Sequence, residues 1–267
     1  MAKKNLEKEI GWLLKEKYNN KPTKQFYSDV KRLEKGEPLD YVIGFTEFLG
    51  CKIDLSKRPL IPRPETEFWV EKAIEEMKNR KPFGAAQGKI LHILDMFAGS
   101  GCIGIAILKH IKNSQVVFSD INKDNLKQIE INCKLNSINE KRYKIIESDV
   151  FKNIKGDYDY IFANPPYIAD YRRSPSASLR AILRNRIQKS VLKYEPKQAL
   201  FGGKDGFLYL RQFLKKAKNY LNKQGTIYME FDSPQKKGIE KITKESGYQS
   251  CEFYKDQYGK WRYVMIK

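Results

Sequence analysis

Asn164-Pro165-Pro166-Tyr167 is the stretch of this sequence whose residue types are tied most closely to one chemistry. An amide or exocyclic amine nitrogen delocalises its lone pair and is a poor nucleophile. A protein that makes it react must hold it and leave the lone pair aimed at an electrophile. The Asn164 side-chain oxygen and the Pro165 carbonyl can each accept one N–H of such a nitrogen. Consecutive prolines stiffen the backbone and remove donors that would compete for those carbonyls. Tyr167 offers an aromatic face on which a planar group can stack. Asn164, Pro165, Pro166 and Tyr167 are therefore the candidate catalytic and acceptor-binding residues. The same tetrapeptide would also serve as a plain Pro-Pro turn ending a strand, with Asn164 there for its turn tendency.

A second candidate site lies upstream, in Asp95-Met96-Phe97-Ala98-Gly99-Ser100-Gly101-Cys102-Ile103-Gly104. Glycines between a strand and a helix let the backbone approach a ligand, and the helix N-terminus offers free N–H groups. Residues 99–104 also match the dinucleotide fingerprint, with Asp120 downstream as a ribose ligand, so an NAD-dependent oxidoreductase is one reading. Two details weigh against it. Asp95 closes the strand just before the turn, where a diphosphate would meet a carboxylate. The first glycine also comes later than the dinucleotide pattern wants. A carboxylate suits a ligand carrying an ammonium group, as S-adenosylmethionine does. Asp120 can accept from both ribose hydroxyls, and Asp149 is placed to meet an adenine amino group, with Val150 or Phe151 packing on the ring. Asp95, Phe97, Ala98, Gly99, Ser100, Gly101, Asp120, Asp149, Val150 and Asn164 are the candidate cofactor-binding residues. The electrophile is then a sulfonium methyl group, already activated, so positioning and electrostatic preorganisation suffice without a strong base.

These residues need a scaffold that brings strand ends together. Residues 90–95, 116–120, 143–146, 158–163 and 226–230 read as short apolar strands. Helical spacing alternates with them at 101–111, 124–136, 205–221 and 234–246. Such alternation implies a mostly parallel sheet covered on both faces, with ligands at its carboxyl edge. Residues 249–254 and 262–266 supply an antiparallel edge hairpin. Ahead of this unit, residues 2–35 carry a helical pattern (Leu6, Ile10, Leu13, Leu14; Phe26, Val30, Leu33), broken by Gly36 and Pro38. Residues 47–55 suggest a hairpin arm, and 65–80 a helix after the proline-rich Arg58-Pro59-Leu60-Ile61-Pro62-Arg63-Pro64. Residues 81–89 and 171–193 read as insertions. The second is basic, carries no acid, and reads as a solvated, poorly ordered loop.

With 267 residues and 41% hydrophobic content, the chain can bury a sizeable core. No apolar run approaches the roughly 20 residues that span a bilayer, and the polar start lacks a signal-peptide core. Cys51, Cys102, Cys133 and Cys251 are scattered, and there are only two histidines. Reduced thiols in the cytoplasm are expected, with no metal site. The net charge of +19 suits a nucleic-acid or ribosomal partner, or reflects a general lysine bias.

At this point the chain resembles the protein-(glutamine-N5) methyltransferases that modify peptide-chain release factors. The similarity runs over about residues 32–267. It rests on Ile61-Pro62-Arg63-Pro64-Glu65-Thr66-Glu67, Asn164-Pro165-Pro166-Tyr167-Ile168, Tyr194-Glu195-Pro196 and Gly202-Gly203-Lys204-Asp205-Gly206. The tetrapeptide alone is shared with adenine-N6 and cytosine-N4 methyltransferases. The resemblance implies an α/β class I methyltransferase (Rossmann-like) fold with a mostly parallel seven-stranded sheet. A short N-terminal helical region (1–45) would precede the methyltransferase domain (46–267). It also implies S-adenosylmethionine as methyl donor and a release-factor Gly-Gly-Gln glutamine as acceptor. Arg63, Glu65 and Glu67 would either line the mouth of the site or form a surface ion-pair cluster and helix cap. Phe97 departs from the family's usual glycine, and the helical region is shorter than the family's by tens of residues. An adenine-N6 methyltransferase acting on RNA or DNA remains the alternative, and a cofactor-binding module without turnover is another.

Overall fold

The computed structural model describes residues 2–79, 89–170 and 187–267. The insertions expected at 81–89 and 171–193 therefore lie largely outside the described residues.

The chain opens with helices α1 (Ala2–Tyr18), α2 (Lys24–Glu34) and α3 (Leu39–Ile43). They enclose a small core of Leu13, Phe26, Leu33 and Val42. The helical pattern of 2–35 is split at Asn19 and Asn20, both with positive φ, and Thr23 caps α2 by accepting from the Phe26 N–H. A two-stranded antiparallel hairpin follows, β1 (Phe45–Phe48) and β2 (Cys51–Asp54). Helix α4 (Pro64–Asn79) leads to β3 (Leu91–Met96), α5 (Cys102–His110), β4 (Ser114–Asp120), α6 (Lys123–Leu135), β5 (Tyr143–Glu147) and β6 (Tyr158–Ala163). Two short helices, α7 (Lys189–Tyr194) and α8 (Lys197–Leu200), come next. The chain closes with α9 (Leu208–Ala217), β7 (Leu221–Glu230), α10 (Lys236–Glu245), β8 (Cys251–Lys255) and β9 (Trp261–Ile266).

The seven-stranded sheet has the order β5-β4-β3-β6-β7-β9-β8. Pairings from β5 to β7 are parallel, and β9 runs antiparallel to both neighbours. This is the class I methyltransferase arrangement expected above. Central strands are apolar on both faces because helices cover both. Along β6, Tyr160 and Phe162 enter one core while Tyr158, Ile161 and Ala163 enter the other. On the first side Trp69 of α4 stacks against Phe162 at 6.0 Å and Tyr263 at 5.9 Å. On the second, Phe213 of α9 stacks on Phe151 at 5.6 Å.

The direction of strand progression reverses between β3 and β6, leaving a crevice at their carboxyl ends. The basic 171–193 stretch departs at its end from the loop expected for it: residues Lys189–Tyr194 form α7, and Tyr194 packs on the core and donates its hydroxyl to the Lys35 carbonyl at 2.9 Å.

Candidate active site

The turn after β3 forms because Ala98 N bonds the Ser119 carbonyl (3.0 Å) and Gly101 N folds back to the Ala98 carbonyl (2.7 Å). Gly101 then caps α5 in the left-handed region, φ 79°. Phe97 (φ 61°) and Val150 (φ 50°) hold the same conformation without glycine's freedom, so backbone strain gathers at two loops facing one crevice. Phe97 is braced by edge contact with Tyr209 at 6.1 Å.

That crevice is a cleft open to solvent, with about 980 Å³ of empty space that includes its mouth. Phe97, Ala98, Gly99, Ser100, Asp120, Asp149, Val150, Asn164 and Pro166 all line it. The structure thus brings three strand ends and the Asn-Pro-Pro-Tyr segment to one cavity. Four candidates do not line it: Asp95, Gly101, Pro165 and Tyr167.

Asp95 lies buried beneath the turn, where its Oδ2 accepts from the Gly104 N–H at 2.9 Å and so satisfies one free amide of α5. Its Oδ1 has no hydrogen-bond partner, and neither has the buried Ser119 Oγ on the cleft wall. Burial pushes the Asp95 carboxyl up to about 7, against the pull of the Gly104 bond. Asp120 is anchored more fully. Its Oδ2 accepts from Gly99 N (2.9 Å) and its Oδ1 from Asn122 N (2.8 Å), and the Asn125 side chain also bonds the carboxylate. Burial raises this carboxyl too, with the backbone bonds opposing.

Tyr167 turns inward. Its hydroxyl donates to Glu230 Oε1 at 2.9 Å, and its ring packs on the core around α9. Burial beside Glu230 holds the phenol well above its ordinary range. Glu230, 1% exposed at the end of β7, also accepts from Thr66 Oγ1 (2.6 Å) and Trp69 Nε1 (2.8 Å). Thr66 in turn receives Asn164 Nδ2 at 3.4 Å. Sequence reading missed Thr66 as the partner of Asn164 and Glu230 as the partner of Thr66. The available signal is a lone carboxylate closing the apolar run Ile227-Tyr228-Met229 at the ligand-bearing edge.

The proline-rich arm forms the opposite lip. Arg63 donates to Glu195 Oε1 at 2.6 Å, and Ile61 N donates to Glu195 Oε2 at 3.2 Å, so the buried Glu195 clamps the arm across the cleft. Of the three charged residues weighed above, Arg63 lines the cleft. Glu67 instead accepts from Leu49 N at 2.7 Å and anchors the β1–β2 hairpin. Helix α6 secures that hairpin and the turn after it, with Asn132 Oδ1 accepting from Asp54 N (2.8 Å) and Gln128 Oε1 accepting from Lys57 N (2.8 Å).

Comparisons with known proteins follow the same line. Residues 81–188 match the family model described as the Methyltransferase small domain. A protein of Lactococcus lactis named release factor glutamine methyltransferase is 33% identical over 261 residues, covering 97% of this chain and 88% of that protein. One of the same name from Borreliella burgdorferi is 34% identical over 236 residues, covering 88% of this chain and 74% of its own. The chain belongs to the release factor glutamine methyltransferase family. Solved structures agree on the fold. A ribosomal protein L11 methylase from Lactobacillus delbrueckii subsp. bulgaricus superposes with a TM-score of 0.53 at 19% identity, over 80% of this chain and 83% of that one. A methyltransferase from Pyrococcus furiosus gives 0.54 at 18% identity, over 81% and 88%. Among the described residues, no helix of this family member is long and apolar enough to cross a membrane.

Proposed function

We propose that this chain transfers a methyl group from S-adenosylmethionine to the side-chain amide nitrogen of a glutamine in the Gly-Gly-Gln loop of a peptide-chain release factor. The observation that carries the proposal is the opening of Asn164 onto the same cleft as the Gly99-Ser100 turn, Asp120 and Asp149. The residues present fit the donor. The buried Ser119 Oγ on the cleft wall awaits a partner, and Asp120, which lines the cleft, can take a diol. Asp149 and Val150 would take the base, and Gly99 and Ser100 the amino-acid end.

When bound, S-adenosylmethionine supplies a methyl group already activated on a sulfonium. The protein's own residues then have two tasks. Asn164 Oδ1 and the Pro165 carbonyl each accept an N–H of the glutamine amide, turning its lone pair toward the donor side of the cleft. Pro166 and the clamped arm around Arg63 narrow the opening so that approach is near in-line. Tyr167 contributes from behind, holding the segment to Glu230.

Nucleobase methylation is the competing reading, kept in view by the net charge of +19. Incubating the purified protein with labelled donor, release factor and RNA separates the two. Protease-sensitive label on the release factor supports glutamine methylation; nuclease-sensitive label with none on the release factor rejects it.

A further inference from the structure

The hydrogen bonds behind Asn164 form a chain in which every direction is determined. Glu230 is acceptor-only as a carboxylate. The Trp69 indole can only donate, and it gives its N–H to Oε2 at 2.8 Å. Tyr167, held protonated by burial, donates to Oε1 at 2.9 Å. Thr66 Oγ1 sits 2.6 Å from Oε2, so its single proton is committed to Glu230. Only lone pairs remain on Thr66 Oγ1, and these face the Asn164 amide 3.4 Å away. An asparagine oxygen there would oppose lone pairs with lone pairs. The NH2 end must face Thr66, and Oδ1 must face the other way.

We propose that Glu230 and Thr66 are positioning residues that lock the Asn164 amide with its oxygen toward the methyl acceptor, and so make the site selective for an acceptor that offers an N–H. It rests on the reading that Asn164 receives an acceptor N–H. A flipped Asn164 would present its own N–H groups to those of the substrate, and the reacting nitrogen would lose its orientation. Neither Thr66 nor Glu230 need touch substrate for this to work. Thr66 Oγ1 is the only link in the chain that both donates to Glu230 and accepts from Asn164, so substitution there separates orientation from chemistry.

Three arms test it. Asn164→Ala is the reference: kcat on a release factor should fall about a hundredfold, as for loss of one preorganised partner. If kcat is unchanged, the role of Asn164 itself fails. Thr66→Val keeps the shape but removes the hydroxyl. It should lower kcat at least about tenfold, with donor affinity within about twofold, and Thr66→Ser should restore most of the rate. A large loss in Asn164→Ala with full kcat in Thr66→Val overturns the positioning proposal while leaving the function standing. Glu230→Leu, which removes the acceptor and frees the Thr66 proton to meet the Asn164 oxygen, should lower kcat likewise. Because buried substitutions can unfold a protein, the last arm uses the unaltered chain. The Asn164 side-chain NH2, identified by its disappearance from the NMR spectrum of Asn164→Ala, should exchange slowly with solvent in the free protein. Fast exchange, indistinguishable from exposed asparagines, overturns the proposal.

Discussion

Gly202→Ala is a substitution outside the cleft that should nonetheless impair the reaction. Asn164-Pro165-Pro166-Tyr167 leaves the sheet at Ala163, and the 202–206 loop backs it. Gly202 N bonds the Ile168 carbonyl at 2.8 Å, and Asp170 N bonds the Gly203 carbonyl at 2.8 Å. A methyl carbon on residue 202 would stand 2.7 Å from the Gly206 oxygen and closer still to the Pro166 oxygen. Ordinary contact begins near 3.4 Å, so Gly206 must retreat by about 0.7 Å and Pro166 by more. Both obstacles are backbone and cannot swing aside. Overpacking of this kind costs about 1–3 kcal/mol of stability. Misplacement by about 1 Å can cost on the order of a hundredfold in rate. We expect kcat/KM on a release factor to drop between about tenfold and a hundredfold, with donor Kd within about threefold, because the Gly99 turn is held by a separate set of bonds. Steady-state kinetics, donor titration calorimetry and a thermal melt give the three readouts. An unchanged melting temperature with kcat/KM within about twofold would refute the claim that this loop fixes the Pro166 backbone.

Further expectations concern the buried charges. Asp120→Ala removes the acceptor that holds Gly99 N and faces the cleft, so donor binding should weaken before kcat does; calorimetry showing unchanged affinity would remove Asp120 from the binding site. Asp95 has a folded pKa raised from 3.8 to about 7. The folded state therefore holds an extra proton between those values, and stability should fall as pH rises through that window, by roughly 4 kcal/mol at most. Asp120 acts in the same sense, so the comparison is with Asp95→Asn: urea melts at several pH values should show a shallower decline in the variant. Asp29 is lowered to about 2 and loses its contribution only below pH 4, outside the window. Arg63→Ala strands the buried Glu195 carboxylate. Because the Arg63 side chain is 32% exposed, the loss should lie near or below the low end of the roughly 3–5 kcal/mol for buried pairs. Replacing both partners with apolar residues should recover part of it in the same melt.

How much was legible in the sequence follows the range of the forces involved. Central strands are buried on both faces, so short apolar runs mark them: residues 158–163 coincide with β6, and 116–120 with the end of β4. The glycine turn, Asp120, Asp149 and Asn164 follow from strand ends, because an open parallel sheet gathers its ligands there. Helix α7 escaped notice because six residues inside a basic stretch carry too little periodicity to register. The break at Asn19 and Asn20 is foreshadowed by Asn19-Asn20-Lys21-Pro22, but the apolar spacing continues across it. Asp95 illustrates the opposite difficulty. Its position at a strand end points to a ligand, yet one oxygen goes to the amide of Gly104, a helix cap the spacing does not reveal. Least legible is the bond from Thr66 to Glu230, whose partners stand 164 positions apart and meet only once the sheet is assembled.

The central claim is the identity of the methyl acceptor, and mass spectrometry of a release factor incubated with the protein and S-adenosylmethionine tests it directly. The Gly-Gly-Gln peptide should gain the mass of one methyl substitution, with fragment ions placing it on the glutamine, and Asn164→Ala should modify the peptide about a hundredfold more slowly. An unmodified Gly-Gly-Gln peptide alongside methylated RNA in the same mixture would contradict the account.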